Sequence, residues 1–232
     1  MERRSAIIRM ALFLFAALTV ILYVSWMSGP FFYHFTGIRT VTLYSFAQIT
    51  ATALAAFAVA RHYGAGSGSI LKNARARPFF ISGVGFSFLA LDEILSLHEN
   101  MDKLIHAIFR MKETPWTDHI DDLIVLAYGV VAFYFIKEFF AEFGKQPFMI
   151  PMIACGVGFF FFMVGADFMS NNEQTYGLFF LVDVDSSDLI HMRDVLRMLE
   201  DSAKLIAGTF FLTAFLSAFL NEKLEGRASG GK

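Results

Sequence analysis

The chain has 232 residues, 56% of them hydrophobic and 17% charged. That balance, with 29 Phe and runs such as GFFFFMVG, excludes an ordinary soluble domain and reads as an integral membrane protein. A net charge of −2 offers no basic footprint for nucleic acid, and a single cysteine, Cys155, excludes an internal disulfide and any C-x-x-C motif.

Taken in order, the elements begin with Arg3, Arg4 and Arg9 ahead of an apolar run from Met10 to Met27. The run is longer than a secretory h-region and no small-x-small cleavage site follows, so it is expected to be a retained first helix. Hydropathy then predicts an all-α polytopic bundle of about six spans, at roughly 8–27, 41–61, 79–98, 121–140, 148–168 and 195–220. Pro30, Gly64 to Gly68, Pro115 and Pro151 punctuate the short connections. The second span is Ala-rich (ATALAAFAVA), and small residues four apart mark it as packing scaffold.

The third span, FFISGVGFSFLALDEILSLHEN, carries Asp92 and Glu93 inside it and His98 and Glu99 at its end. Read as one continuous helix, it places Asp92 and Glu99 about 20° apart on one face, with Glu93 about 100° off that arc, either to pair with another helix or to support a ligand from behind. Met101, Leu104, Ile105, Ile108 and Phe109 then make the apolar stripe of a surface-lying amphipathic helix, which puts Asp102 and His106 on its solvated side. Thr117 or Asp118 is placed to cap the fourth span, and acids there suit its positive end; His119 and Asp122, three apart, are left as candidates for ligation. The fifth span holds Cys155 as an expected inert core residue and ends near Asp167. The sixth carries Glu200, Asp201 and Lys204, either as ligands or as a ladder of pairs with Arg193 and Arg197. Residues from about 222 to 232 read as a cytoplasmic tail of a single integral membrane domain spanning 1–232.

Charge sets the orientation. Arg3, Arg4, Arg9, Arg61, Lys72, Arg75, Arg77, Lys137, Lys145, Lys223, Arg227 and Lys232 fall on one side of six spans, and Arg39, Lys103, Arg110, Lys112, Arg193 and Arg197 on the other. The richer side is cytoplasmic, so both termini are expected there, in a bacterial inner membrane. At about 1.5 Å per residue, Asp92 and Glu93 lie roughly 20 Å from the cytoplasmic end of their span. On the same scale His98, Glu99, Asp167, Glu200 and Asp201 lie near 30 Å, with Lys204 one turn deeper. A bare charge in hydrocarbon costs several kcal/mol, so such a layer marks function or internal pairing.

Inward carboxylates from several helices with one or two histidines follow the logic of carboxylate-bridged metal centres in helical bundles. Oxygen donors with few imidazoles and no thiolate point to a divalent ion such as iron, manganese or zinc. Asp92, His98, Glu99, Asp167 and Glu200 are the leading candidate ligands, then Asp122 and Asp201; Glu93 and His119 are candidates for general acid–base work. The competing explanation is an intramembrane ion pair between Asp92 or Glu93 and Lys204.

The stretch FLALDEILSLHEN resembles an LDE-x4-HE pattern of uncharacterised bacterial multipass membrane proteins. Those proteins tend to carry a Trp-Pro loop, a Gly-rich helix ending in an acid and an EE-x-x-E motif opening the last helix. The matching residues are Asp92, Glu93, His98, Glu99, Trp116 (with Pro115 before it), Asp167 in GADF, and Glu200 and Asp201 in LEDSAKL, where Lys204 replaces an acid. The resemblance covers roughly residues 80 to 220 and implies a site but no reaction. Asp102-x3-His106-x12-His119 is also similar to the copper-site spacing in the C subunit of particulate methane and ammonia monooxygenases.

The leading expectation is therefore a membrane metalloprotein acting as a metal-dependent enzyme on a lipid or apolar substrate, by hydrolysis or di-iron-type oxidation. An ion- or proton-coupled transporter using Asp92, Glu93 and Lys204 is the alternative, and a noncatalytic subunit of a larger membrane complex is a third. No H-E-x-x-H, His-box set or phosphate-cradling loop is present.

Overall fold

The structure, a computed structural model, describes residues 7, 9–11, 13–20, 40–65, 69–110, 120–146, 148–170 and 186–229. Side chains at 121, 122, 136, 137, 186–194 and beyond 222 lie outside that description. Among the described residues every regular element is helical. Seven helices follow an N-terminal helical segment: α1 (Thr40–Gly64), α2 (Ala76–Leu95), α3 (Leu97–Phe109), α4 (Ile120–Tyr134), α5 (Ile136–Phe143), α6 (Met149–Ser170) and α7 (Ser186–Ser229).

Four stretches are long and apolar enough to cross a membrane: Val41–Gly64, Ala76–Leu95, Met149–Met169 and Val195–Glu222. The expected fourth span, by contrast, is divided. The chain leaves the helical region at Phe135 (φ −88°, ψ 3°), so α4 has 15 residues and α5 eight. At 1.5 Å per residue α4 reaches only about 22 Å. The expected third span ends at Leu95 rather than near 98, because Ser96 adopts a left-handed conformation (φ 46°, ψ 51°).

The bundle is built around α7, which packs on α6 and α1, while α1 also packs along α2. The Ala-rich second span does act as scaffold: Thr52, Ala53, Ala56, Val59 and Ala60 of α1 are all buried. Small residues are needed for that approach. A Cβ added at Gly83 would stand 2.7 Å from the Phe57 ring, and one at Gly208 2.6 Å from Gln48 Oε1. Gly208→Ala is accordingly expected to push Gln48 off its 2.7 Å hydrogen bond to Thr209 Oγ1 and to cost about 1–3 kcal/mol, measurable as a lower unfolding midpoint in detergent.

An aromatic core holds the end of the bundle where α2 begins and α6 starts. Phe79 meets Phe143 at 5.1 Å between ring centroids and Phe215 at 6.3 Å, and Ala56, Ala60, Met149, Ala214 and Ala218 close around them. Without hydrophobic driving force between helices in lipid, such interlocked packing and buried hydrogen bonds supply the association energy. α6 turns much of its surface outward, including Phe161 and Phe162, and Cys155 lies on that exposed surface rather than in the core. The sequence places Cys155 in an apolar run but cannot tell a helix's lipid-facing side from its core side when both are apolar.

α7 continues to Ser229, so Glu222, assigned from sequence to the tail, is instead inside a helix and buried.

Candidate functional site

The left-handed turn at Ser96 decides the geometry of the acid-rich end. It breaks the continuous helix that would put Asp92 and Glu99 on one face, and it starts α3 in a new direction. A helix start leaves orphan N–H groups and a helix end orphan carbonyls. Asp92 satisfies one of the former: the His98 backbone N–H donates to Asp92 Oδ1 at 2.9 Å. Asn100 satisfies one of the latter, its Nδ2 donating to the Leu95 carbonyl at 2.8 Å. Ser96 itself makes no side-chain cap. The buried carboxylate of Asp92 thus works as a cap supplied from the preceding helix.

The other oxygen of Asp92 lies 2.9 Å from His98 Nδ1, making a carboxylate–imidazole pair. His98 is about a quarter exposed and Asp92 under a tenth. Glu93, the next residue round α2, lies about 100° away on another face. It meets Lys204 of α7, with Nζ 3.5 Å from Oε1 and both side chains largely enclosed. Glu93, rather than Asp92, is therefore the partner of Lys204.

Lys204 is the hub of this end. Its ammonium sits in the combined field of Glu93, Asp201, Glu200 and Asp167, in that order of strength. Three helices, α2, α6 and α7, contribute those acids. Asp201 is buried, and Asp167 and Glu200 are half-buried; each makes further interactions of its own. Among the described residues, no three His, Cys, Asp or Glu groups converge as a metal ion would require. Three of the acids have separate partners: Asp92 with His98, Glu93 with Lys204, and Glu99, half exposed, with Lys103 at 3.9 Å one turn along α3. His119 lies outside the described residues, and Asp122 is described in its backbone only.

His106 differs from its sequence reading. It is buried, not solvated, with Nδ1 2.9 Å from Asp102 Oδ1 and 3.1 Å from the Asp102 carbonyl. Its Nε2 has no hydrogen-bond partner among the described residues. The amphipathic stripe assigned the wrong neighbour to this residue, because α3 packs against α4 and covers part of its polar side.

A family model described as a domain of unknown function (DUF8692) matches residues 7–219. No curated protein and no solved structure matches the chain.

Proposed function

The chain belongs to the DUF8692 family, whose description assigns no reaction, and from the acid-rich end of the bundle we propose that it is a proton- or cation-coupled membrane carrier. The observation that carries this reading is the Glu93–Lys204 contact at 3.5 Å, held between two long apolar helices with three further acids acting on the same ammonium. An ionisable residue within a span is expensive and by default marks an ion or proton pathway. Neutralising Glu93 by a proton or small cation releases Lys204 toward Asp201, Glu200 and Asp167. The pair then has a second arrangement available, which is what coupling requires. We place the chain in a bacterial inner membrane with six crossings and both termini cytoplasmic, as the Lys/Arg distribution supports; this end then opens toward the periplasm.

The test is gradient-driven flux in liposomes of the purified protein, followed with a trapped pH dye and with cation-selective dyes. Wild type is expected to respond to an imposed gradient, and Glu93→Gln and Lys204→Met to lose the response. A wild type indistinguishable from empty liposomes would sink the carrier reading.

A second reading keeps the metal-dependent enzyme acting on a lipid or apolar substrate, with iron, manganese or zinc. The Asp92–His98 and Asp102–His106 contacts favour it, since a carboxylate on one imidazole nitrogen is how a ligating or catalytic histidine is oriented. Glu93 and His119 would be its acid–base groups, and Asp122 with Asp167, Glu200 and Asp201 further donors. Elemental analysis of wild type beside His98→Ala/Glu99→Ala decides: metal in stoichiometric amount that vanishes in the variant supports it, and metal-free wild type removes it. A noncatalytic subunit role has no specific observation in its favour; exposed Phe on α6 is what any lipid-facing helix shows.

A further inference from the structure

α7 carries a second polar feature, running away from Lys204. Thr209, Thr213, Ser217 and Asn221 recur every fourth residue and are all buried. Facing them, α1 places Gln48 and Thr52, also buried, and Gln48 Nε2 donates to Thr209 Oγ1 at 2.7 Å. The hydroxyls give their protons to their own helix: Thr209 to the Leu205 carbonyl, Thr213 to Thr209 and Ser217 to Ala214, at 2.7–2.9 Å. Their oxygens are thereby left as acceptors along the α1–α7 seam.

The seam ends in a cluster around Glu222. The Tyr63 hydroxyl donates to Glu222 Oε1, and Gln146 Nε2 donates to the same oxygen at 2.7 Å and to Tyr63 Oη at 2.8 Å. Asn221 Nδ2 reaches Gln146 Oε1 at 3.3 Å. On the other carboxylate oxygen, His62 Nε2 lies 3.5 Å from Oε2. The exposures are unequal: Glu222 is 8% exposed and the His62 side chain 47%. Among the described residues, Arg75 also acts on this cluster, through Tyr63. A carboxylate enclosed by neutral donors, touched on its free side by a half-exposed imidazole, has the components of a proton-exchange pair.

We propose that Glu222 is a proton-binding station at the end of the bundle opposite Lys204, exchanging with bulk water through His62. His62 Nε2 takes a proton from water and delivers it to Glu222 Oε2, and the reverse path releases it; no other bond changes. Tyr63 and Gln146 hold the carboxyl in place in both states, and Asn221 holds Gln146. This deepens the carrier reading, on which it rests, by supplying that carrier's second protonation site.

The test is pH-difference infrared spectroscopy of the full chain in lipid, scanned from neutral pH into acid across the range in which carboxyls and imidazoles exchange protons. A protonated-carboxyl band should be lost in Glu222→Gln and retained in Glu93→Gln, and His62→Gln should slow its appearance or shift its midpoint. Should Glu222→Gln fail to accumulate, Glu222→Asp moves the band instead of abolishing it. A spectrum unchanged by either Glu222 variant overturns the proposal, and a band indifferent to His62→Gln overturns the assigned route. Flux is read separately: a titrating Glu222 in a protein without gradient-driven flux retires the carrier reading while the proton site stands.

Discussion

Lys204→Met is expected to be the most damaging single substitution at the acid-rich end, costing about 3 kcal/mol of stability. The reason is asymmetry. Removing the ammonium leaves the half-buried Glu93 and the buried Asp201 facing Glu200 and Asp167 with the shared cation gone. Glu93→Gln removes one of four acids acting on Lys204 and leaves the other three, so it should cost distinctly less. The double variant Glu93→Gln/Lys204→Met should sit above the sum of the two losses, because each single change strands what the other removes. Unfolding in detergent measures all three. A Glu93→Gln loss equal to or larger than that of Lys204→Met would show that the lysine is not the hub. The double variant should also remain without gradient-driven flux, separating the fold's need for the pair from its use.

Asp92→Ala is expected to cost about 2–3 kcal/mol and to fray the start of α3, since it removes both the acceptor of the His98 N–H and the partner of the His98 ring. Asp92→Asn separates the two roles. Its amide oxygen still accepts the backbone N–H, while its NH2 can face Nδ1 only if the imidazole carries its proton on Nε2. The cost should fall to roughly 1 kcal/mol. Amide hydrogen exchange at His98 reads the cap directly: strongly accelerated in Asp92→Ala and near wild type in Asp92→Asn. Equal acceleration in both would mean that the charge, not the cap, holds the turn.

Several features of the candidate site were legible in the residues. Asp92, Glu93 and Lys204 stand out because ionisable groups in apolar spans are costly, and Glu93, at about 100° from the Asp92 face, already stood apart from it. The break at Ser96 was not legible. Neither Gly nor Pro marks it, and the turn around the left-handed serine is held by hydrogen bonds between residues five and six apart, Asn100 to Leu95 and His98 to Asp92. With the break missed, the shared face of Asp92 and Glu99 and the ligand arc built on it were misdrawn. Glu222 was missed for a different reason: a polar, charged stretch after an apolar span reads as a tail, although the four-residue recurrence of Thr209, Thr213, Ser217 and Asn221 signals a buried polar seam.

By itself the sequence determined the helical membrane character, the long apolar segments, the Ala-rich scaffold and the list of costly charges. Those depend on hydrophobicity summed over twenty or so residues and on the price of charge in hydrocarbon, which are properties of local composition. The tertiary structure alone decided who partners whom: Glu93 and not Asp92 on Lys204, His98 on Asp92, His62 and Tyr63 on Glu222. Pairing depends on helix breaks, on rotation about each helix axis and on contacts between residues as far as 161 apart in the chain, none of which a periodic pattern of apolar residues fixes.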